Sequence, residues 1–308
     1  MADASLASAV SRAGGLGIIG GGSASAERVA EMVGEAREAC PGRPIGLNIM
    51  LMSPHADDLA QLVVDAGIEV VTTGAGSPGK YMEMWKGAGT VVVPVVASVA
   101  LAKRMERLGA DAVIAEGGES GGHIGEMNTM ALVPQVASAV SVPVVAAGGI
   151  AGGRQMAAAL MLGAEGVQMG TRFLTVDECT VHERYKEKVL AARDSDTIVT
   201  GRVAGHPARG LKNRLSREAR AAELKGLGPD GEEAEVRLSG SLRRAVIDGD
   251  LDGGSFMAGE VAGMVSERGT AADVVQGTTA EAERLLGLSA DELAAENGGG
   301  SPSPVSEI

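Results

Sequence analysis

Seven short runs rich in valine and isoleucine, each separated from the next by a helix-length amphipathic stretch, constrain this chain more than anything else in it. They occupy residues 17–19, 45–50, 70–73, 91–96, 112–116, 142–147 and 166–170. Short β-branched runs bounded by glycine and polar residues read as buried strands. Between them, residues 26–39, 56–66, 99–108, 132–139 and 154–162 carry the spacing of amphipathic helices, and another such segment, 5–13, precedes the first run. Strand–helix alternation of this kind folds as right-handed βαβ units around a parallel sheet. The runs end in Asn48, Thr72-Thr73-Gly74, Glu116, Gly148-Gly149 and Gly170-Thr171. Polar and glycine residues at nearly every strand end suit a TIM (β/α)8 barrel, whose site lies at that face, better than the single crevice of a doubly wound sheet. The count is one short: seven strands where such a barrel has eight.

The interior must be filled by small and branched aliphatics, because the 308 residues include one Trp, two Tyr and two Phe. A net charge of −13 argues against nucleic-acid and anionic-membrane binding. No apolar run reaches about 18 residues, and no basic-then-apolar leader opens the chain. Cys40 and Cys179 have neither zinc nor redox spacing, as expected in a reducing compartment. The expectation is a soluble, cytoplasmic protein.

Beyond residue 171 the pattern changes. Residues 177–220 are charged and read as helical, 226–235 as an exposed loop, 242–247 and 281–295 as helix, and 298–308 as a disordered tail.

The segment Glu116-Gly117-Gly118-Glu119-Ser120-Gly121-Gly122-His123-Ile124-Gly125 directly follows the fifth strand. Glycine is used where the backbone takes positive φ or approaches a ligand closely, and an imidazole there offers a proton donor or acceptor near neutral pH. His123 is therefore the candidate acid–base or hydrogen-bonding group. Of the other histidines, His55 follows Ser53-Pro54 in a loop expected to border the substrate, His182 falls on a surface helix, and His206 on a segment that could cover the site.

These motifs together identify a resemblance. Gly14 to Gly20, Gly46-Leu47-Asn48-Ile49-Met50, the glycine loop around His123, Ala146-Ala147-Gly148-Gly149-Ile150 and Gln168-Met169-Gly170-Thr171-Arg172-Phe173 resemble the nitronate monooxygenase superfamily of flavin-dependent barrels, and within it flavin-dependent enoyl-acyl-carrier-protein reductases of type II. The resemblance runs over residues 2–290 in one register. It implies an FMN-binding barrel over 1–195, a helical or loop lid over 196–250, a segment returning to the barrel over 251–295, and a tail over 296–308. Family members open with a strand carrying Gln-Gly-Gly-Met; Met1 falls just after its place, so the expectation is an upstream start or a trimmed chain.

The resemblance also implies chemistry. Asn48, Glu116 and Gln168 would bond the flavin ring or its ribityl chain. Gly121, Gly122, Gly148, Gly149, Met169, Gly170 and Thr171 would complete the FMN site, with the glycine pairs and the Thr171 hydroxyl cradling phosphate. NADH or NADPH would be the reductant, with hydride passing from flavin N5 to the β-carbon of an enoyl thioester, and His123 would stabilise the carbonyl or protonate the α-carbon. A monovalent cation and a homodimer are family expectations. Arg209, Lys212, Arg214 and Arg217 form a basic stretch that would dock an acidic acyl carrier protein. The competing expectations are a nitronate monooxygenase, which shares fold, flavin and histidine, and a non-catalytic barrel whose exposed strand edges invite aggregation.

Overall fold

The computed structural model describes residues 2–22, 24–225, 238 and 240–287. Seven parallel strands form one sheet: β1 (Gly17–Gly20), β2 (Ile45–Met50), β3 (Val70–Gly74), β4 (Val91–Val96), β5 (Val113–Glu116), β7 (Val144–Ala147) and β8 (Gly166–Gln168). Three further strands lie outside it: β6 (Gly122–His123) sits in the glycine loop, and β9 (Thr197–Thr200) and β10 (Ala208–Leu211) form a hairpin beyond the barrel. Sequence neighbours pair throughout the seven-stranded sheet, as a winding barrel requires; β2 and β3, for example, run in register from Gly46–Val70 to Met50–Gly74. Among the described residues the sheet stays open between β1 and β8. On that side the Gly20 N–H donates to the Ala2 carbonyl at 2.8 Å, so residue 2 runs beside the end of β1.

The helices are α1 (Ala4–Arg12), α2 (Ala26–Ala39), α3 (Ala56–Asp65), α4 (Met82–Gly87), α5 (Val99–Arg107), α6 (Thr129–Ala137), α7 (Gly153–Met161), α8 (Glu183–Leu190), α9 (Arg214–Leu224) and α10 (Ala271–Leu286). Local sequence starts them. The Ser25 and Ser98 side chains accept from the third N–H of α2 and α5, and Thr270 with Asp273 forms a capping box on α10, which Gly287 closes in the left-handed region. Their apolar faces cover the sheet in two clusters. Val29, Val33, Leu47, Leu59 and Trp85 pack on one flank; Val96, Met105, Leu132, Val136 and Ile150 pack on the other. Among the described residues no helix is long and apolar enough to cross a membrane.

A third cluster joins the barrel to the C-terminal segments, through Phe173, Tyr185, Val189, Phe256 and Val274. Here the structure departs from the sequence expectation. Residues 197–211 are not helical but form the β9–β10 hairpin, and β10 also pairs antiparallel with β6. Four consecutive β-branched residues, Thr197-Ile198-Val199-Thr200, followed by a glycine-bounded turn, favour strand over helix. The expected helix 281–295 is helical over 281–286, as the last turns of α10, which begins earlier at Ala271; residues 288–295 lie outside the described residues. The expected loop 226–235 and tail 296–308 lie outside the described residues.

Candidate functional site

A cavity of about 1600 Å³ opens at the carboxyl ends of the strands and continues into the barrel interior. Asn48, Thr72, Glu116, Ala147 and Gln168 ring it where the strands end; Val70, Val93, Ala112 and Val145 line it below. It extends to the open flank beside Leu6, Gly17 and Val275, and its roof carries Ile198, His206, Arg209, Phe256 and Met257. A single small-molecule site occupies roughly 300–1,000 Å³, so this space exceeds what one such ligand fills. A separate cavity of about 450 Å³, between Arg37, Cys40, Arg43 and Glu69, lies at the C-terminal end of α2 and holds none of the candidate residues.

Parallel strands deliver their last side chains inward at this face. The Asn48 amide donates to the Thr72 hydroxyl on the neighbouring strand at 2.9 Å, which fixes how the amide faces the cavity. Glu116 ends β5 and receives the Ser120 hydroxyl on Oε1 at 2.7 Å. Burial pushes its carboxyl above the ordinary range, and the Ser120 hydrogen bond pulls only partly the other way.

Three residues on, Glu119 is used differently. Its carboxylate accepts the Thr129 N–H at 3.0 and 2.9 Å and the Thr129 hydroxyl at 2.9 Å, sealing the start of α6. The same hydroxyl lies 3.0 Å from the Gly148 carbonyl, tying the glycine loop to the end of β7. Gly148 and Gly149 come next, with φ of +90° and +72°. A side chain at Gly148 would strike the Gly117 carbonyl at 2.8 Å, so the turn requires glycine.

His123 lies exposed on β6, on the wall of the cavity, with Gly122 at φ +86° before it. Gly121 packs directly against the segment 257–260: a Cβ there would lie 2.7 Å from the Gly259 nitrogen. Gly259 in turn donates its N–H to the Thr171 hydroxyl at 2.8 Å, and the Glu260 N–H bonds the Glu119 carbonyl at 2.9 Å. Gln168, Met169, Gly170 and Thr171 all line the cavity, and Gly170 faces open room, with nothing within 4 Å of where its Cβ would stand. The first N–H of α7, at Gly153, is taken by Glu281 at 2.9 Å, so an anion would meet the two glycine turns rather than that helix end.

Ten of the eleven expected site residues, Asn48, Glu116, Gly121, His123, Gly148, Gly149, Gln168, Met169, Gly170 and Thr171, thus border one cavity, and the eleventh, Gly122, is buried between two of them. His206 joins them from the hairpin turn, whereas His55 stands at the start of α3 outside the lining. His182 caps α8, accepting the Arg184 N–H on Nδ1 at 3.1 Å. Sequence reasoning gave no role to Glu119, Thr129 or Gly259. Glu119 was visible inside the glycine loop; its partner Thr129 opens α6, a pairing only the folded loop reveals.

The four residues of the expected docking stretch differ in exposure. Arg209 points inward, its side chain 13% exposed, against Glu260 at 2.9 Å and the Gly118 carbonyl. Strand alternation on β10, rather than helical spacing, decides this. Lys212 donates to the Ser195 carbonyl, and Arg214 pairs weakly with Glu218 at 3.7 Å while remaining two-thirds exposed.

The family model described as nitronate monooxygenase matches residues 1–65 and 57–281. Among solved structures, FabK from Thermotoga maritima is similar, with a TM-score of 0.89 and 48% identity over 96% of this chain and 92% of that one. A nitroalkane oxidase from Streptomyces ansochromogenes superposes with a TM-score of 0.83 at 28% identity, covering 93% of each chain. The (3aS,4S,5R,7aS)-5-hydroxy-7a-methyl-1-oxo-octahydro-1H-indene-4-carboxyl-CoA dehydrogenase of Mycobacterium tuberculosis is 37% identical over 247 residues, 79% of this chain and 68% of that protein.

Proposed function

The chain belongs to the nitronate monooxygenase family, and from that premise we propose that it reduces the double bond of an enoyl thioester, with NADH or NADPH as the ultimate electron donor. Family membership makes it an oxidoreductase and implies FMN as the cofactor. The observation that carries the finer reading is the likeness to FabK, an enoyl-acyl-carrier-protein reductase II, at 48% identity over nearly the whole chain, against 28% for the nitroalkane oxidase. The relative from Mycobacterium tuberculosis, named for an acyl-CoA substrate, supports a thioester rather than a nitroalkane.

The residues fit the cofactor. The glycine turns at 148–149 and 170–171 offer backbone donors with no side chain in the way, and Gly170 leaves a cradle unfilled. Asn48, Glu116 and Gln168 supply polar groups at three strand ends for a flavin ring or ribityl chain. When bound, FMN supplies hydride transfer, which no side chain can.

The rest falls to the protein. Oriented by Thr72, the Asn48 amide would hold a flavin with little further loss of rotamer freedom on binding. Glu116, driven toward its neutral form by burial, places a carboxyl beside an electron-rich partner at lower electrostatic cost than an exposed carboxylate would. His123 reaches the cavity from the side of the hairpin, where a thioester carbonyl has room to lie. There its N–H would stabilise charge developing on the carbonyl oxygen, or release a proton to the α-carbon.

Purified protein tests this directly. Loss of NADH or NADPH under anaerobic conditions should depend on added crotonyl thioester, and H123A should retain bound flavin while losing about 10²–10⁴-fold in rate. Flavin without thioester-dependent turnover, but with oxygen-dependent consumption of an alkyl nitronate, would replace this reading with the family's other activity.

A further inference from the structure

The β9–β10 hairpin does more than roof the cavity, because β10 is the strand against which β6 is laid. Ala208 pairs with His123 and Arg209 with Gly122, and the Ile124 N–H donates to the Pro207 carbonyl at 3.0 Å. No side-chain hydrogen bond holds the His123 imidazole among the described residues, so its aim is inherited from this backbone ladder. A ladder of two residue pairs is short and needs support.

Arg209 supplies it from the side. Its Nε and Nη2 donate to the Gly118 carbonyl at 3.2 and 3.0 Å, and Nη1 donates to the Thr197 hydroxyl at 3.2 Å. Nη2 also meets the Glu260 carboxylate at 2.9 Å. One guanidinium thus joins the start of the glycine loop, the first strand of the hairpin and the segment that packs on Gly121. The planar fork suits three partners in fixed directions, as a lysine ammonium on a flexible stem does not.

We propose that Arg209 is a positioning residue that sets the reach of His123 into the cavity by locking the hairpin to the glycine loop. The inference rests on the role given to His123 above. Because Arg209 acts through the loop, its loss should affect turnover more than binding of the flavin, most of whose expected contacts (Asn48, Gly148, Gly149, Gln168, Gly170 and Thr171) lie at the strand ends rather than in that loop.

The test combines R209A and R209K, each in the parental protein and in H123A, with hydrogen exchange measured on the flavin-loaded proteins. R209A is expected to lower kcat about 10²-fold, as a displacement of about 1 Å does, with flavin content retained. R209K should recover only part of that loss, since it keeps a charge for Glu260 without the fork to Gly118. In the H123A background, R209A should cost less than about threefold, because two residues acting as one unit are not additive. Amide exchange over 117–125 and 197–211 should rise together in R209A, while β2 to β4 stay protected.

Equal losses in both backgrounds, or unchanged exchange over 117–125, would overturn the proposal. If R209A fails to fold, R209K is read by the same measures. If the parental protein reduces no enoyl thioester, the function proposed above fails by itself, and the exchange over 117–125 still decides whether Arg209 locks the loop.

Discussion

The barrel wall and the cover above it are held together by different means. In the wall, β2 meets β3 over five residue pairs, and Leu47, Leu59 and Trp85 behind it have no solvent exposure. In the cover, two residue pairs join β10 to β6 and four join it to β9; a buried apolar cluster around Tyr185, Leu211 and Phe256 ties it to the barrel, and single polar contacts and close backbone approaches hold the glycine loop against it. Asn213 makes polar contacts of the same kind within the cover: it caps α9 through Oδ1 while its amide donates to the carbonyls of Leu251 and Gly254 at 2.9 and 2.7 Å. The wall therefore answers to volume and burial, and the seam between the cover and the glycine loop answers to direction. Damage to the wall should be read as lost stability, and damage to that seam as lost geometry at the cavity.

The sharpest attempt to break this contrast is Leu59→Ala, which deletes a fully buried side chain outside the cavity lining. It should cost about 2–5 kcal/mol in denaturant unfolding, with activity per folded molecule unchanged. A loss of turnover without a loss of stability would erase the distinction. Gly121→Ala makes the converse attempt, forcing a Cβ to within 2.7 Å of Gly259 and prising the glycine loop from the segment above it. Turnover should fall about 10²-fold, with the strain costing about 1–3 kcal/mol in unfolding free energy, so that the loss of turnover per folded molecule is what separates it from Leu59→Ala.

The smallest effect is expected at Glu116→Gln, where wall and cover meet. Burial raises this carboxyl above its unfolded value, so its favourable contribution is complete below the unfolded pKa and lost as pH rises through the folded one. Glu116→Gln should accordingly be more stable than the parent at neutral pH, with the gain vanishing toward about pH 4. Ser120 can still donate to the amide oxygen. A gain that persists at acid pH would point to packing instead.

This contrast also explains what was legible in the sequence. The seven wall strands and their helices are written locally, in β-branched runs and 3.6-residue spacing, and six helices start within about three residues of their expected places. The residues at strand ends follow from that alternation, since each strand delivers its last side chain to the same face. The cover is written non-locally. Thr197 to Thr200 carry strand propensity, but what fixes β10 is its pairing with Gly122 and His123, and the surrounding charge disguised the hairpin as helix. Arg209 shows the cost of reading charge alone: a cation in a basic stretch lies largely buried against Glu260 and the Gly118 carbonyl. Glu116 and Glu119, three residues apart in one loop, are equivalent on paper. Only folding sends one to the cavity and the other to the start of α6.

The scarcity of aromatic rings leaves the molecule with a single natural optical reporter. Trp85, the only tryptophan, lies on α4, fully buried in the wall, with its indole N–H bonded to the Ala60 carbonyl and its ring stacked on Tyr81 at 5.1 Å. Its emission follows the wall and is blind to the cover, whose rings are Tyr185 and Phe256. Heated while indole fluorescence and visible flavin absorbance are recorded together, the protein would display wall and cover in separate colours. A flavin midpoint below the indole midpoint would then show, without any substitution, that the cover loosens before the scaffold beneath it yields.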